Sequence, residues 1–172
     1  MNQQPGPQEP LVLSYLGLRK AVGMIGVFLI SCRGYDWKDE FAANLACVFA
    51  IGVALFPTTP YVGATSREEF IGKLHLSFAA LLFLTFAYFS LALFTKTAPD
   101  KTPTRQKLQR NIVYRVCGYT ILACILLIAV VALTPVRYLV GRLTPVFWLE
   151  SAAIVAFGVS WLTKGETILK DQ

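Results

Sequence analysis

Apolar residues along this chain come in long blocks separated by short polar connectors. The blocks predict five helices, over approximately 18–33, 40–57, 67–95, 111–134 and 145–163, behind a Gln/Pro-rich stretch at 1–10 that reads as a flexible tail. A helix needs about 20 apolar residues to cross a hydrocarbon core of about 30 Å, and the later blocks have that length. The expected architecture is all-α: a polytopic transmembrane helix bundle of four full spanning helices plus one short N-terminal hydrophobic helix, with 11–172 as a single domain.

Local signals place the boundaries. The first block is interrupted by Arg19 and Lys20, and its apolar remainder, Ala21 to Cys32, is only about 18 Å long as a helix. It can tilt, thin the bilayer or lie re-entrant. The second, Phe41 to Phe56, follows Asp36-Trp37-Lys38-Asp39-Glu40 and stops at Pro57-Thr58-Thr59-Pro60, an acidic start and a proline stop. The third opens on Ser66-Arg67-Glu68-Glu69, a capping-box pattern, and runs to about Phe94, aromatic nearly all round. The fourth, Ile112 to Leu133, ends at Thr134-Pro135, and the fifth has Thr144 as N-cap, Pro145 at N1 and Lys164-Gly165 at its end. Small residues recur every four positions on two helices, at Ala42, Ala46, Ala50 and Ala54 and at Ala152, Ala156 and Ser160. Such stripes let another helix backbone approach closely.

Composition excludes an ordinary soluble domain: 55% of residues are hydrophobic and only 15% charged. The net charge of +6, from 16 Lys+Arg against 10 Asp+Glu, raises the question of nucleic acid. No aromatic and basic residues interleave on a polar face, so nucleic acid is not an expected partner. The basic residues cluster instead at Lys96, Lys101, Arg105, Lys107 and Arg110, between two apolar blocks. The positive-inside bias puts the 96–110 connector and the C-terminus in the cytoplasm, with Lys101, Arg105, Lys107 and Arg110 against lipid headgroups. Arg33 to Glu40 then lies on the cytoplasmic side too. The first segment either spans with the N-terminus outside or stays cytoplasmic, and Arg19 and Lys20 favour the second. A lipobox-like Leu29-Ile30-Ser31-Cys32 gives a third option, which charge bias opposes because it would carry the basic cluster outside. The four cysteines stand at no zinc-ligand spacing and read as packing residues.

Seven stretches carry a resemblance: Leu18 to Gly23, Arg33 to Asp36, Gly52 to Pro57, Ala87 to Leu91, Arg110 to Gly118, Pro145 to Glu150 and Trp161 to Glu166. Together they resemble a group of bacterial multi-pass inner-membrane proteins, of about six helices and unknown function, over nearly the whole chain from Leu11. The resemblance implies a bacterial cytoplasmic membrane and a helical fold, but no activity. Relatives in that group have the end of one helix, an external turn and most of the next helix where Gly26 here runs straight into Val27. The short first segment then resembles a splice of two half-helices.

Ionisable groups inside a bilayer are expensive, so each is a functional candidate. His75 in the third helix and Glu150 in the fifth both follow helix starts on the expected outer side, and form a candidate polar pair able to relay protons or hold helices together. The group is faintly similar to seven-helix membrane hydrolases related to ceramidases, but those need three histidines on zinc and this chain has one. No cofactor, metal site or G-x-S-x-G elbow is indicated. Asn44, Tyr119, Thr120 and Ser151 can line a small polar cavity or bond a neighbouring helix. The leading expectation is a structural or accessory membrane component that packs against lipid, other membrane subunits or itself, without an evident catalytic site. Its alternatives are a small transporter or sensor using His75 and Glu150, and a lipid-modifying enzyme.

Overall fold

The computed structural model describes residues 37–59, 63–97, 104–134 and 144–165, together with Gly17, Lys20, Val22 and Met24. Among the described residues the chain is helical, with no strand. Helix α1 is Trp37–Leu55, α2 is Ser66–Tyr88 continuing into a π-helical turn at Phe89–Leu93, α3 is Arg105–Leu133 and α4 is Pro145–Lys164. Lys20, Val22 and Met24 are helical positions of the expected first helix. The rest of 18–33, the tail at 1–10 and Lys101 lie outside the described residues.

Among the described residues three helices are long and apolar enough to cross a membrane: Ser66–Leu93 with 28 residues, Arg105–Leu133 with 29 and Pro145–Lys164 with 20. The sequence reading expects four, and α1 makes the difference. Of its 19 residues, Lys38, Asp39 and Glu40 take up the first turn. The apolar remainder, Phe41 to Leu55, is about 22 Å long, short of a ~30 Å core.

Helix starts depart from the expected positions for reasons of capping. In α2 the capping box falls one residue early: the Thr65 N–H and hydroxyl both donate to Glu68 Oε2 at 2.8 Å, and the Glu68 N–H donates to Thr65 Oγ1 at 3.3 Å. Thr65 is therefore the N-cap, Ser66 is N1 and Glu68 is N3. Helix α3 starts inside the expected basic connector, because Thr104 is in extended conformation and accepts from the Lys107 N–H at 3.1 Å. Arg105, Lys107 and Arg110 thus stand on the first two turns of a helix. Thr144 precedes α4 without capping it: its φ of 45° and ψ of 50° are left-handed, and its side chain makes no capping bond. A β-branched residue is strained there, and the following Pro145 disfavours the right-handed alternative. Gly165 closes α4 at φ −75°, with its N–H on the Trp161 carbonyl at 3.0 Å, so this glycine does not use its left-handed freedom.

The chain divides into two compact units, Met1–Ala79 and Ala80–Gln172. In the first, α1 packs on the opening turns of α2. The Phe78 ring stacks on Phe56 at 5.6 Å and 9° and lies 6.5 Å from Phe49. It also covers Gly52, where an added Cβ would meet the ring at 2.5 Å. The buried side of α1 is Ala42, Ala43, Ala46, Cys47, Ala50 and Val53.

In the second unit, α3 and α4 make the main helix pair, and the π turn touches both. The buried stripe of α3 is Arg110, Tyr114, Cys117, Gly118, Ile121, Cys124 and Ile128. That of α4 is Glu150, Ala153, Phe157, Ser160 and Thr163. Phe86 and Phe157 stack at 3.9 Å and 5°. Gly118 lets the Leu91 side chain rest on its helix, since a Cβ there would overlap it. On the outside, Tyr119, Leu126, Leu127, Leu133, Trp148, Val155 and Leu162 are exposed. Large apolar residues thus lie on the outer faces as well as the inner, the distribution of a helix solvated by lipid.

Candidate functional site

The π turn, the start of α3 and the end of α4 converge on a polar and aromatic cluster within the second unit. Widening begins where the Phe94 N–H donates to the Phe89 carbonyl at 2.8 Å, an i→i+5 bond in place of i→i+4. The ring of Phe89 then meets Phe157 at 6.2 Å and Trp161 at 6.3 Å, while Phe94 lies 5.6 Å from both Tyr114 and Trp161. Lys107 sets its ammonium over the Tyr114 ring at 5.5 Å and donates to the Phe94 carbonyl at 2.8 Å. One cation therefore satisfies a carbonyl at the end of α2 and engages an aromatic face of α3.

Polar groups are buried among these rings. Ser90, Ser160 and Thr163 are fully enclosed and Arg110 is 6% exposed. Thr163 donates to the Val159 carbonyl at 2.7 Å, the usual internal solution for a hydroxyl on an apolar helix. Among the described residues, Ser90 Oγ and Ser160 Oγ have no hydrogen-bond partner, and neither does Asn111 Oδ1. Nor is any base among the described residues hydrogen-bonded to either serine.

His75 belongs to the first unit, where it is 5% exposed. Its Nδ1 is 2.7 Å from the Phe56 carbonyl. Because a carbonyl only accepts, Nδ1 carries the proton, and the imidazole ties α2 to the residue just past the end of α1. Glu150 belongs to the second unit and is 8% exposed, on the inward face of α4 at the end opposite the aromatic cluster. Each member of the expected pair is thus buried in its own unit.

The remaining candidates divide by helix. On α1, Ala42, Ala46 and Ala50 are buried and Ala54 is half-buried. On α4, Ala152 is exposed, Ala156 half-buried and Ser160 buried, so the packed face is turned by one residue, to Glu150, Ala153, Phe157 and Ser160. Among the basic residues Arg105 is exposed to solvent or headgroups, whereas Lys107 and Arg110 turn toward protein. Sequence reasoning missed the inward stripe of α3. Part of its signal was present: Arg110, Tyr114, Cys117, Ile121, Cys124 and Ile128 recur at steps of three and four, with Gly118 beside Cys117, the spacing of one helix face. Among the described residues, Cys47, Cys117 and Cys124 are free and buried, and no three His, Cys, Asp or Glu side chains come together.

Comparison with protein-family models, with curated proteins and with solved structures matches none of them. The functional reading therefore rests on the residues themselves.

Proposed function

We propose that this chain is a multi-pass protein of a bacterial cytoplasmic membrane, acting as a structural or accessory component that packs against other membrane helices, its own or those of other subunits. One observation carries the reading: α2, α3 and α4 are long and apolar enough to cross a membrane and carry large apolar side chains on their outer faces as well as inside. In water that surface would drive aggregation; in lipid it is the solvated face. In this reading α1 crosses as well, with Asp39 and Glu40 at headgroup depth and Pro57 on the far side. The connector that includes Lys96 and the start of α3 at Arg105 lie in the cytoplasm, following the positive-inside bias. Fractionation tests the proposal: the protein should stay in membranes washed with alkaline carbonate and leave them only in detergent. Recovery in the carbonate supernatant overturns it. Fusions of a reporter active on one side only, placed at 98–103 and after 165, test the sidedness.

A second reading, a small transporter or sensor, is favoured by Glu150, a carboxyl group enclosed in an apolar helix. Glu150→Gln and His75→Asn, made singly in liposomes carrying a pH-sensitive dye, separate the two. Loss of a proton or solute flux with normal folding supports this second reading, and an absence of any flux in the parent protein removes it.

A further inference from the structure

Among the described residues, helix α1 buries one side, Ala42, Ala43, Ala46, Cys47, Ala50 and Val53. The opposite side, Phe41, Asn44, Val48, Ile51 and Leu55, is exposed along the full helix, at spacings of three, four, three and four residues that hold them on one seam. Four of the five are large and apolar. Asn44 is the exception: its carboxamide has no hydrogen-bond partner among the described residues, and it lies four residues, about 6 Å, past the last charge of the first turn, Glu40. An amide in hydrocarbon gains strongly from a partner that both donates and accepts.

From this we infer that the Phe41–Asn44–Val48–Ile51–Leu55 seam binds the same seam of a second copy of this chain, with the two Asn44 side chains paired. The inference deepens the reading of the protein as a packing component and rests on α1 lying in the bilayer. Two features select a second copy over another protein. A carboxamide is its own complement, donor and acceptor in one group, so a pair closes two hydrogen bonds reciprocally. Copies inserted the same way run parallel and carry Asn44 at the same depth, so a two-fold axis sets it against itself, whereas a different partner must supply its own polar group there. A single amide among apolar seam positions also sets the register.

Cross-linking and energy transfer test this on the full chain. With Cys32, Cys47, Cys117 and Cys124 changed to alanine, Val48→Cys and Ile51→Cys should each give an oxidised dimer in membranes, and Ala46→Cys, on the packed side, should not. Without any cysteine change, copies carrying donor and acceptor fluorophores in phosphatidylcholine/phosphatidylglycerol vesicles should show transfer that Asn44→Leu weakens about fivefold or more and Asn44→Gln preserves. If position 48 is shielded from a water-soluble maleimide yet no dimer or transfer appears, or if the cross-link captures a different protein, the second-copy inference falls and the membrane reading stands. If position 48 reacts with the maleimide in intact vesicles, α1 lies in water, and the inference falls together with the placement of α1 in the bilayer, while α2, α3 and α4 are judged by the carbonate wash.

Discussion

Phe86 on α2 and Phe157 on α4 lie ring on ring, with centroids 3.9 Å apart and planes within 5°. Both are buried, and Phe157 carries the contact on to Phe89 and Trp161. In a membrane, helix association gains little from transfer out of water, so the loss on truncation is chiefly lost dispersion and the remaining cavity. Phe157→Ala should destabilise the second unit by about 2 kcal/mol, read as a lowered unfolding midpoint in detergent. Phe157→Leu, which refills part of the space, should recover roughly half of that. An unchanged midpoint for Phe157→Ala would show the stack to be idle.

Gly118 and Leu91 make a second close approach, where the missing side chain of one helix admits the side chain of another. Gly118→Val should destabilise by about 1–3 kcal/mol through overpacking. Adding Leu91→Ala should return part of the loss, because it vacates the space the new side chain needs. Additive losses in the double variant would contradict the contact.

The Lys107 ammonium, in the first turn of α3, holds the Phe94 carbonyl at the end of α2. Lys107→Met keeps the apolar stem and removes the charge, so the expected cost is about 1–2 kcal/mol from the lost charge-assisted bond and cation–π contact. The amides around Phe94 to Lys96 should then exchange with deuterium faster, while those of α3 below Cys117 keep their protection.

Thr104 tests where α3 begins. Thr104→Ala should cost about 1 kcal/mol and speed exchange at the Arg105 to Lys107 amides, and Thr104→Asp should restore protection. Were α3 to begin near Ile112 instead, neither change would matter.

How far the sequence carries can be judged helix by helix. The apolar blocks marked where α2, α3 and α4 lie, because lipid demands runs of about 20 apolar residues whatever the function. The starts were less legible, since Thr65 and Ser66 are equally good caps by composition and only the Thr65–Glu68 bonds decide between them. The α3 start was hidden because hydropathy does not register a cap, and Arg105 to Arg110 read as a connector until Thr104 closed a turn on Lys107. His75 and Glu150 stood out by charge alone, yet their surroundings depend on which helices pack, which periodicity does not encode. The face of α4 that packs within the chain was not legible from its small-residue stripe, because Phe157 fills that contact and Ala152 stands outside it.

The i→i+5 closure at Phe89–Leu93 has an effect on chain length. Such a turn contains one residue more than its neighbours, and one residue of α-helix corresponds to a rotation of about 100°. Deleting any single position from 89 to 93 would therefore leave a more regular helix with a fuller set of i→i+4 bonds. Because the widened turn already takes up the extra rotation, the deletion would leave Phe94 close to its present azimuth, still beside Tyr114 and Trp161 with its carbonyl near Lys107. For this segment the identity of the buried side chains, Phe89, Ser90 and Leu93, is a stronger constraint than the number of residues, and a one-residue deletion at exposed or half-buried positions there is milder than the same deletion elsewhere in α2.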